Sequence, residues 1–198
     1  MTAATAAGWL PGATRMPSPN CDERPPGCAV ELVIVHSISL PPGEFGTGCI
    51  HDLFLNRLDW NSHDYFNLIK GLKVSSHVLI ERDGALVQYV PLQLRAWHAG
   101  ESSFCGRARC NDFSIGIELE GTDDLAYTAA QYRALADVIA ELRDRYPAIG
   151  SDRVVGHCHV APGRKTDPGA SFRWNELGRL LGEAPDWEPG SAPGAAKR

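Results

Sequence analysis

The stretch Ser114-Ile115-Gly116-Ile117-Glu118-Leu119-Glu120 decides how this chain folds. Side chains alternate across a strand, so Ile115, Ile117 and Leu119 share one face while Gly116, Glu118 and Glu120 share the other. One face is core and the other polar. On the N-terminal side, Glu31-Leu32-Val33-Ile34-Val35-His36 is a short β-branched run stopped by Leu40-Pro41-Pro42-Gly43, which reads as a buried strand carrying His36 at its end. Residues 74–81 and 85–90 flank Arg82-Asp83-Gly84, where Asp-Gly supplies the positive φ of a tight hairpin. Downstream, Thr128 and Gln131 form a capping-box pair. Tyr132, Leu135, Ile139, Leu142 and Tyr146 then recur at helical spacing until Pro147, a core-facing stripe. Weaker helical signals lie at 48–58 and 62–70, and residues 174–181 predict a terminal helix. Strands interleaved with helices, with an antiparallel hairpin among them, predict an α/β fold with a mixed central β-sheet packed by helices.

A chain of 198 residues suits a single domain. That domain is expected at 30–181, with 1–29 as an N-terminal extension packing on it. Residues 182–198, with Gly or Pro at 182, 185, 189, 190, 193 and 194, form a flexible tail. A chain of this length buries roughly 70% of its unfolded surface, so neither metal nor disulfides are needed to hold it together, and a metal is available for chemistry. Nothing approaches the run of about 18 apolar residues that spans a membrane. Nineteen basic against twenty-four acidic residues, net charge −5, with no Lys/Arg cluster, argue against a nucleic-acid partner. A small-molecule substrate fits better, and no obligatory protein partner is implied. The first twenty residues lack a basic start followed by an apolar stretch, so they do not read as a secretory signal, and a cytoplasmic location is expected. The six cysteines are expected to be free thiols; Cys21/Cys28 and Cys105/Cys110 are not the C-x2-C pairs of structural zinc sites.

The chemistry concentrates in Gly156-His157-Cys158-His159 and the following Ala161-Pro162-Gly163-Arg164-Lys165-Thr166-Asp167-Pro168-Gly169. Pro168 disfavours helix at Asp167, and an extended Lys165-Thr166-Asp167 aims Lys165 and Asp167 to one side. Two imidazoles and a carboxylate form a common catalytic Zn2+ set that leaves a fourth position for water, and His36, His157 and Asp167 can supply it. Glu118, on the polar strand face, suits proton transfer, with Glu120 as the fallback. Lys165 suits stabilisation of an oxyanion. His159 is the rival ligand, since in an extended segment it faces the same way as His157. His51 and His63 read as surface residues. His77 and His98 are divided between packing and support of the site, and Trp97 between packing and stacking on substrate.

Val35-His36-Ser37-Ile38-Ser39-Leu40-Pro41-Pro42-Gly43-Glu44-Phe45-Gly46, Ser76-His77, Arg95-Ala96-Trp97-His98-Ala99-Gly100, the run from Arg109 to Thr122 and that from Ala161 to Gly169 together resemble the AmpD family of zinc-dependent 1,6-anhydro-N-acetylmuramoyl-L-alanine amidases. The likeness runs from about residue 8 to 181, and its Trp-His-Ala-Gly element is similar to the wider zinc amidase and peptidoglycan-recognition fold. The resemblance implies that His36, His157 and Asp167 bind Zn2+, that Glu118 is the acid/base residue and that Lys165 stabilises the transition state. It implies hydrolysis of the amide between anhydro-N-acetylmuramic acid and L-alanine of cytosolic muropeptides in cell-wall recycling. Ser37 stands where the family has asparagine, His159 where it has aspartate, and Lys73 where it tends to have arginine. Lys73 and Arg109 are expected to hold a stem-peptide carboxylate, Lys73 as a point charge instead of a bidentate fork. A non-catalytic muropeptide-binding module of the same fold is the alternative; the full set of candidate ligands and catalytic residues favours the enzyme.

Overall fold

The computed structural model describes residues 8–185 and 187–190. Its main sheet has six strands: β1 (Thr14–Arg15), β3 (Leu32–Ile38), β4 (Val78–Ile80), β5 (Leu86–Gln88), β9 (Ser114–Glu120) and β10 (Val154–Gly156), in the order β1-β5-β4-β9-β3-β10. The short ribbons β2 (Cys21–Asp22) with β6 (Arg95–Ala96), and β7 (Ser103–Phe104) with β8 (Arg107–Ala108), lie outside it. Strands β4, β9, β3 and β10 run parallel, β5 turns back antiparallel to β4, and β1 runs parallel to β5. The hairpin joining β4 to β5 is the predicted one, with Gly84 at φ +90° and its N–H donating to Glu81 O at 2.9 Å.

Parallel strands are stable when both faces are covered, and β9 is buried along its whole length. Its Ile115, Ile117 and Leu119 pack with Val33, Val35, Val78 and Ile80 against the helices α2 (Ala129–Arg145) and α4 (Trp174–Leu181). The predicted capping box holds α2: Thr128 Oγ1 accepts from Gln131 N and Gln131 Oε1 from Thr128 N, both at 3.1 Å. Tyr132, Leu135, Ile139 and Leu142 are buried beneath it. The polar face of β9 is buried as well, His98 lying over Gly116 and the loop at Gly46 covering Glu120. Gly116 permits that approach, since a Cβ there would sit 2.4 Å from the His98 ring.

The other helices are α1 (Cys49–Phe54) and the single turn α3 (His157–Val160). The helical signal over 48–58 contracts to α1 because Gly48 and Asn56 adopt left-handed φ on either side. That over 62–70 becomes a 3-10 helix, Asp64–Ile69, capped by the His63 side chain. His51 is not a bare surface residue: Nδ1 lies 2.5 Å from Tyr89 Oη and Nε2 3.3 Å from Glu81 Oε1.

Residues 8–30 wrap the domain, while residues 1–7 of the expected N-terminal extension lie outside the described residues. Arg24 anchors this stretch, its guanidinium donating to the carbonyls of Asn111, Asp112 and Ser114 at 2.9–3.1 Å. Beyond 181 the composition predicts a tail, yet Glu183 accepts from Arg143 at 2.7 Å and Ser151 at 2.6 Å. Trp187 likewise donates to Ser151 O at 3.0 Å. A single indole and one carboxylate suffice to dock this stretch, which composition averages cannot reveal; residue 186 and residues 191–198 of the expected tail lie outside the described residues.

Candidate metal centre and catalytic cavity

Strand pairing sets the first half of the site. The parallel register places His36 opposite Glu118 on the central strands β3 and β9, with Ile38 opposite Glu120. The next strand on the other side, β10, pairs Gly156 with Val35, so the chain leaves the sheet one residue later at His157, level with His36. Asp167 returns on the following loop, its carbonyl accepting from Cys158 N at 3.0 Å. His36 Nδ1 and His157 Nδ1 are 2.9 Å apart, and Asp167 Oδ2 is 3.1 Å from each. Among the described residues these three form the one His/Cys/Asp/Glu group compact enough to hold a metal ion.

The hydrogen bonds behind these atoms test whether a cation fits. His157 Nε2 donates to Ala99 O at 3.0 Å, which assigns the proton to that nitrogen and leaves Nδ1 bare when the ring is neutral. A bare Nδ1 and a carboxylate oxygen 3.1 Å apart are two acceptors face to face, an arrangement a cation relieves. His36 Nε2 shares a proton with His98 Nδ1 at 2.9 Å, and His98 Nε2 reaches Ser114 Oγ at 3.2 Å. With that proton on His36 Nε2, all three lone pairs aim at one point. Two imidazole nitrogens and one carboxylate oxygen suit Zn2+.

Burial keeps the His36 and His98 rings neutral, and metal ligation at His36 requires that. It lowers the His36 pKa to about 4, against the pull of Asp167, and drives His98 well below its usual value. Burial also works against ionisation of Asp167, but its contacts with His157 and His36 outweigh it and hold the carboxyl far below the usual range. Glu118 moves the other way. Its burial, then the charge of Asp167, push it well above the usual carboxylate range, with Lys165 opposing. Its Oε2 is buried without a hydrogen-bond partner. All five residues, His36, Glu118, His157, Lys165 and Asp167, line one cavity of about 320 Å³, whose far wall is apolar: Leu40, Leu53, Phe54, Ile69, Leu72 and Val74.

A family model described as N-acetylmuramoyl-L-alanine amidase matches residues 26–170. The chain belongs to this amidase family. The 1,6-anhydro-N-acetylmuramyl-L-alanine amidase AmpD of Citrobacter freundii is 60% identical over 174 residues, 88% of this chain and 92% of its own. A crystal structure of a selenomethionine AmpD derivative superposes with a TM-score of 0.86 at 58% identity, covering 88% of this chain and 97% of that one. The E. coli amidase AmiD, solved with the substrate anhydro-N-acetylmuramic acid-L-Ala-D-γ-Glu-L-Lys, gives a TM-score of 0.57 at 26% identity, covering 83% and 66%. As an N-acetylmuramoyl-L-alanine amidase, the chain hydrolyses the amide that joins muramic acid to L-alanine.

Around this amidase centre the other expected residues fall unevenly. Ser37 lines the cavity. Lys73 is exposed between the lining residues Leu72 and Val74. Arg109 is not among the lining residues; its Nε pairs with Asp112 at 3.2 Å and its side chain is 69% exposed. His159 does not face His157, because the segment is helical and two residues on a helix lie about 200° apart. Its Nδ1 accepts from Gly156 N at 2.8 Å, and its ring packs on Trp174.

Sequence reasoning missed Arg164, whose guanidinium donates to the carbonyls of Ala99 and Glu101, holding the loop segment whose Ala99 carbonyl orients His157. A loop arginine carries no local signal for such a role. The apolar wall was equally hidden, since its residues come from separate segments with no shared local pattern. His77 supports packing: Nδ1 accepts from Gly116 N at 3.0 Å, and burial lowers its pKa to about 3.

Proposed function

We propose that this amidase acts on anhydro-N-acetylmuramoyl-peptides in the recycling of cell-wall fragments, with Zn2+ held by His36, His157 and Asp167. The observation that carries the metal reading is the trio of donor atoms within 2.9–3.1 Å of one another beside a buried, unpartnered Glu118 oxygen. The high identity to relatives named for the 1,6-anhydro substrate supports the substrate class. Free cysteines throughout suit a reducing, cytoplasmic setting, and no helix among the described residues is long and apolar enough to cross a membrane.

Zinc, when bound, lowers the pKa of water to about 7 and polarises the scissile carbonyl. The protein's own groups do the rest. His98 and the Ala99 carbonyl fix the tautomers that turn both Nδ1 atoms toward Asp167 Oδ2. Glu118 Oε2, with no competing partner, takes the proton of the attacking water and delivers it to the departing nitrogen of L-alanine; its raised pKa suits both transfers. Lys165, an exposed residue lining the same cavity, stabilises the negative charge that develops on the carbonyl oxygen. Lys73, on the rim beside the apolar wall, and Arg109, with its exposed guanidinium, take carboxylates of the stem peptide.

Mass spectrometry of products from anhydromuramoyl-peptide tests the reading. Zinc-loaded protein releases the free peptide and anhydro-N-acetylmuramic acid, chelated protein does not, and readded zinc restores release. Undiminished release after complete chelation overturns the metal assignment. Faster release of peptide from intact sacculi than from anhydro-muropeptide overturns the substrate assignment.

A further inference from the structure

Two carboxylates stand two residues apart on the same face of β9, and their surroundings differ. Glu118 keeps an oxygen without a partner. Glu120, only 5% exposed, has both oxygens engaged by backbone: Oε1 accepts from Gly46 N at 2.6 Å and Oε2 from Arg82 N at 3.3 Å. We infer that Glu120 is a positioning residue of the amidase, a strut that ties the segment 39–48 to the sheet and so sets how the cavity wall meets substrate.

Segment 39–48 is braced within itself. Gly43 N donates to Ser39 Oγ at 2.8 Å, Glu44 N to Pro41 O at 3.0 Å, and Thr47 Oγ1 to Leu40 O at 2.5 Å. A loop so closed moves as one body, and Ser39 and Leu40 at its start line the cavity. It leads directly into α1, whose Leu53 and Phe54 continue the same wall. Glu120 joins the far part of this loop to the β4–β5 turn, because Arg82 supplies the second N–H. The Arg82 guanidinium adds a stacking contact over Phe45 at 5.1 Å and a bond to Ala126 O at 2.9 Å. A carboxylate is the side chain that can accept from both N–H groups at once. Glutamine keeps one acceptor and sets an amide donor against the other N–H. Alanine abandons both donors inside the protein.

The inference rests on the cavity being the catalytic one, and wild-type turnover on the same substrate checks that separately. Steady-state kinetics on anhydromuramoyl-peptide, with zinc content and hydrogen exchange measured alongside, provide the test. Glu120→Ala is expected to raise KM about tenfold while kcat stays within roughly threefold, since substrate binding and not proton transfer is disturbed. Zinc content stays at the wild-type level, and amides of residues 43–49 exchange faster. Glu120→Gln shows the same pattern with a smaller KM change and remains decisive should the alanine variant fold poorly. A collapse of kcat in Glu120→Gln with KM unchanged would mark Glu120 as a proton carrier and overturn the inference. So would wild-type KM and exchange in both variants.

Discussion

The site is assembled from a sheet-borne half and a loop-borne half, and the two are held by different means. His36 and Glu118 face each other because β3 and β9 pair residue for residue, so their separation is fixed by the strand spacing of a buried parallel sheet. His157, Lys165 and Asp167 belong to a segment with one helical turn and a loop. Its shape depends on individual bonds: Cys158 N to Asp167 O, Lys165 N to Ala161 O, and Arg164 to Ala99 O. The sheet sets backbone position through its register, whereas the loop takes its shape from a few individual hydrogen bonds. Substitution of Glu118 should therefore change chemistry with the scaffold intact, while substitutions behind the ligands should change metal affinity.

The largest effect sharpens the sheet side. Glu118→Gln preserves shape and removes the proton acceptor, so kcat on anhydromuramoyl-peptide should fall by about 10²–10⁴. Zinc content by elemental analysis should match wild type. A rate within tenfold of wild type breaks the assignment of Glu118.

Next comes the junction of the two halves, where His36 leans on His98. His98→Leu removes the acceptor for His36 Nε2, and zinc affinity, read by competition with a chromophoric chelator, should drop about 10–100-fold. His98→Asn, with an amide oxygen near the position of Nδ1, should retain most of that affinity. Equal affinity in the leucine variant would show that the sheet alone orients His36.

The smallest effect lies on the loop side and separates His159 from His157. His159→Ala should leave zinc affinity unchanged and lower stability by about 1 kcal/mol, the worth of its bond to Gly156 N, read as a modest fall in melting temperature. Lost zinc would restore His159 as a ligand.

Much of this was legible in the chain itself. The alternation of 114–120 announced a strand with one core and one polar face, the Asp83-Gly84 pair announced the hairpin, and Thr128 with Gln131 announced the start of α2. His159 was misread because a strand-like direction was assumed where the chain makes a helical turn. The docking of Glu183 and Trp187 was missed because segment composition does not register single anchors. Glu118 and Glu120 read alike, as neighbours on one face, and only their partners tell them apart.

By itself the amino-acid order determined the local elements and the residue types suited to hold a divalent ion, since turn chemistry and side-chain alternation act over a few residues. The tertiary structure alone decided that donor atoms 121 and 131 residues apart along the chain meet within about 3 Å. That meeting depends on which strands lie side by side, in what register, and on where the chain leaves the sheet. Those are long-range choices, made by burying both faces of one sheet at once.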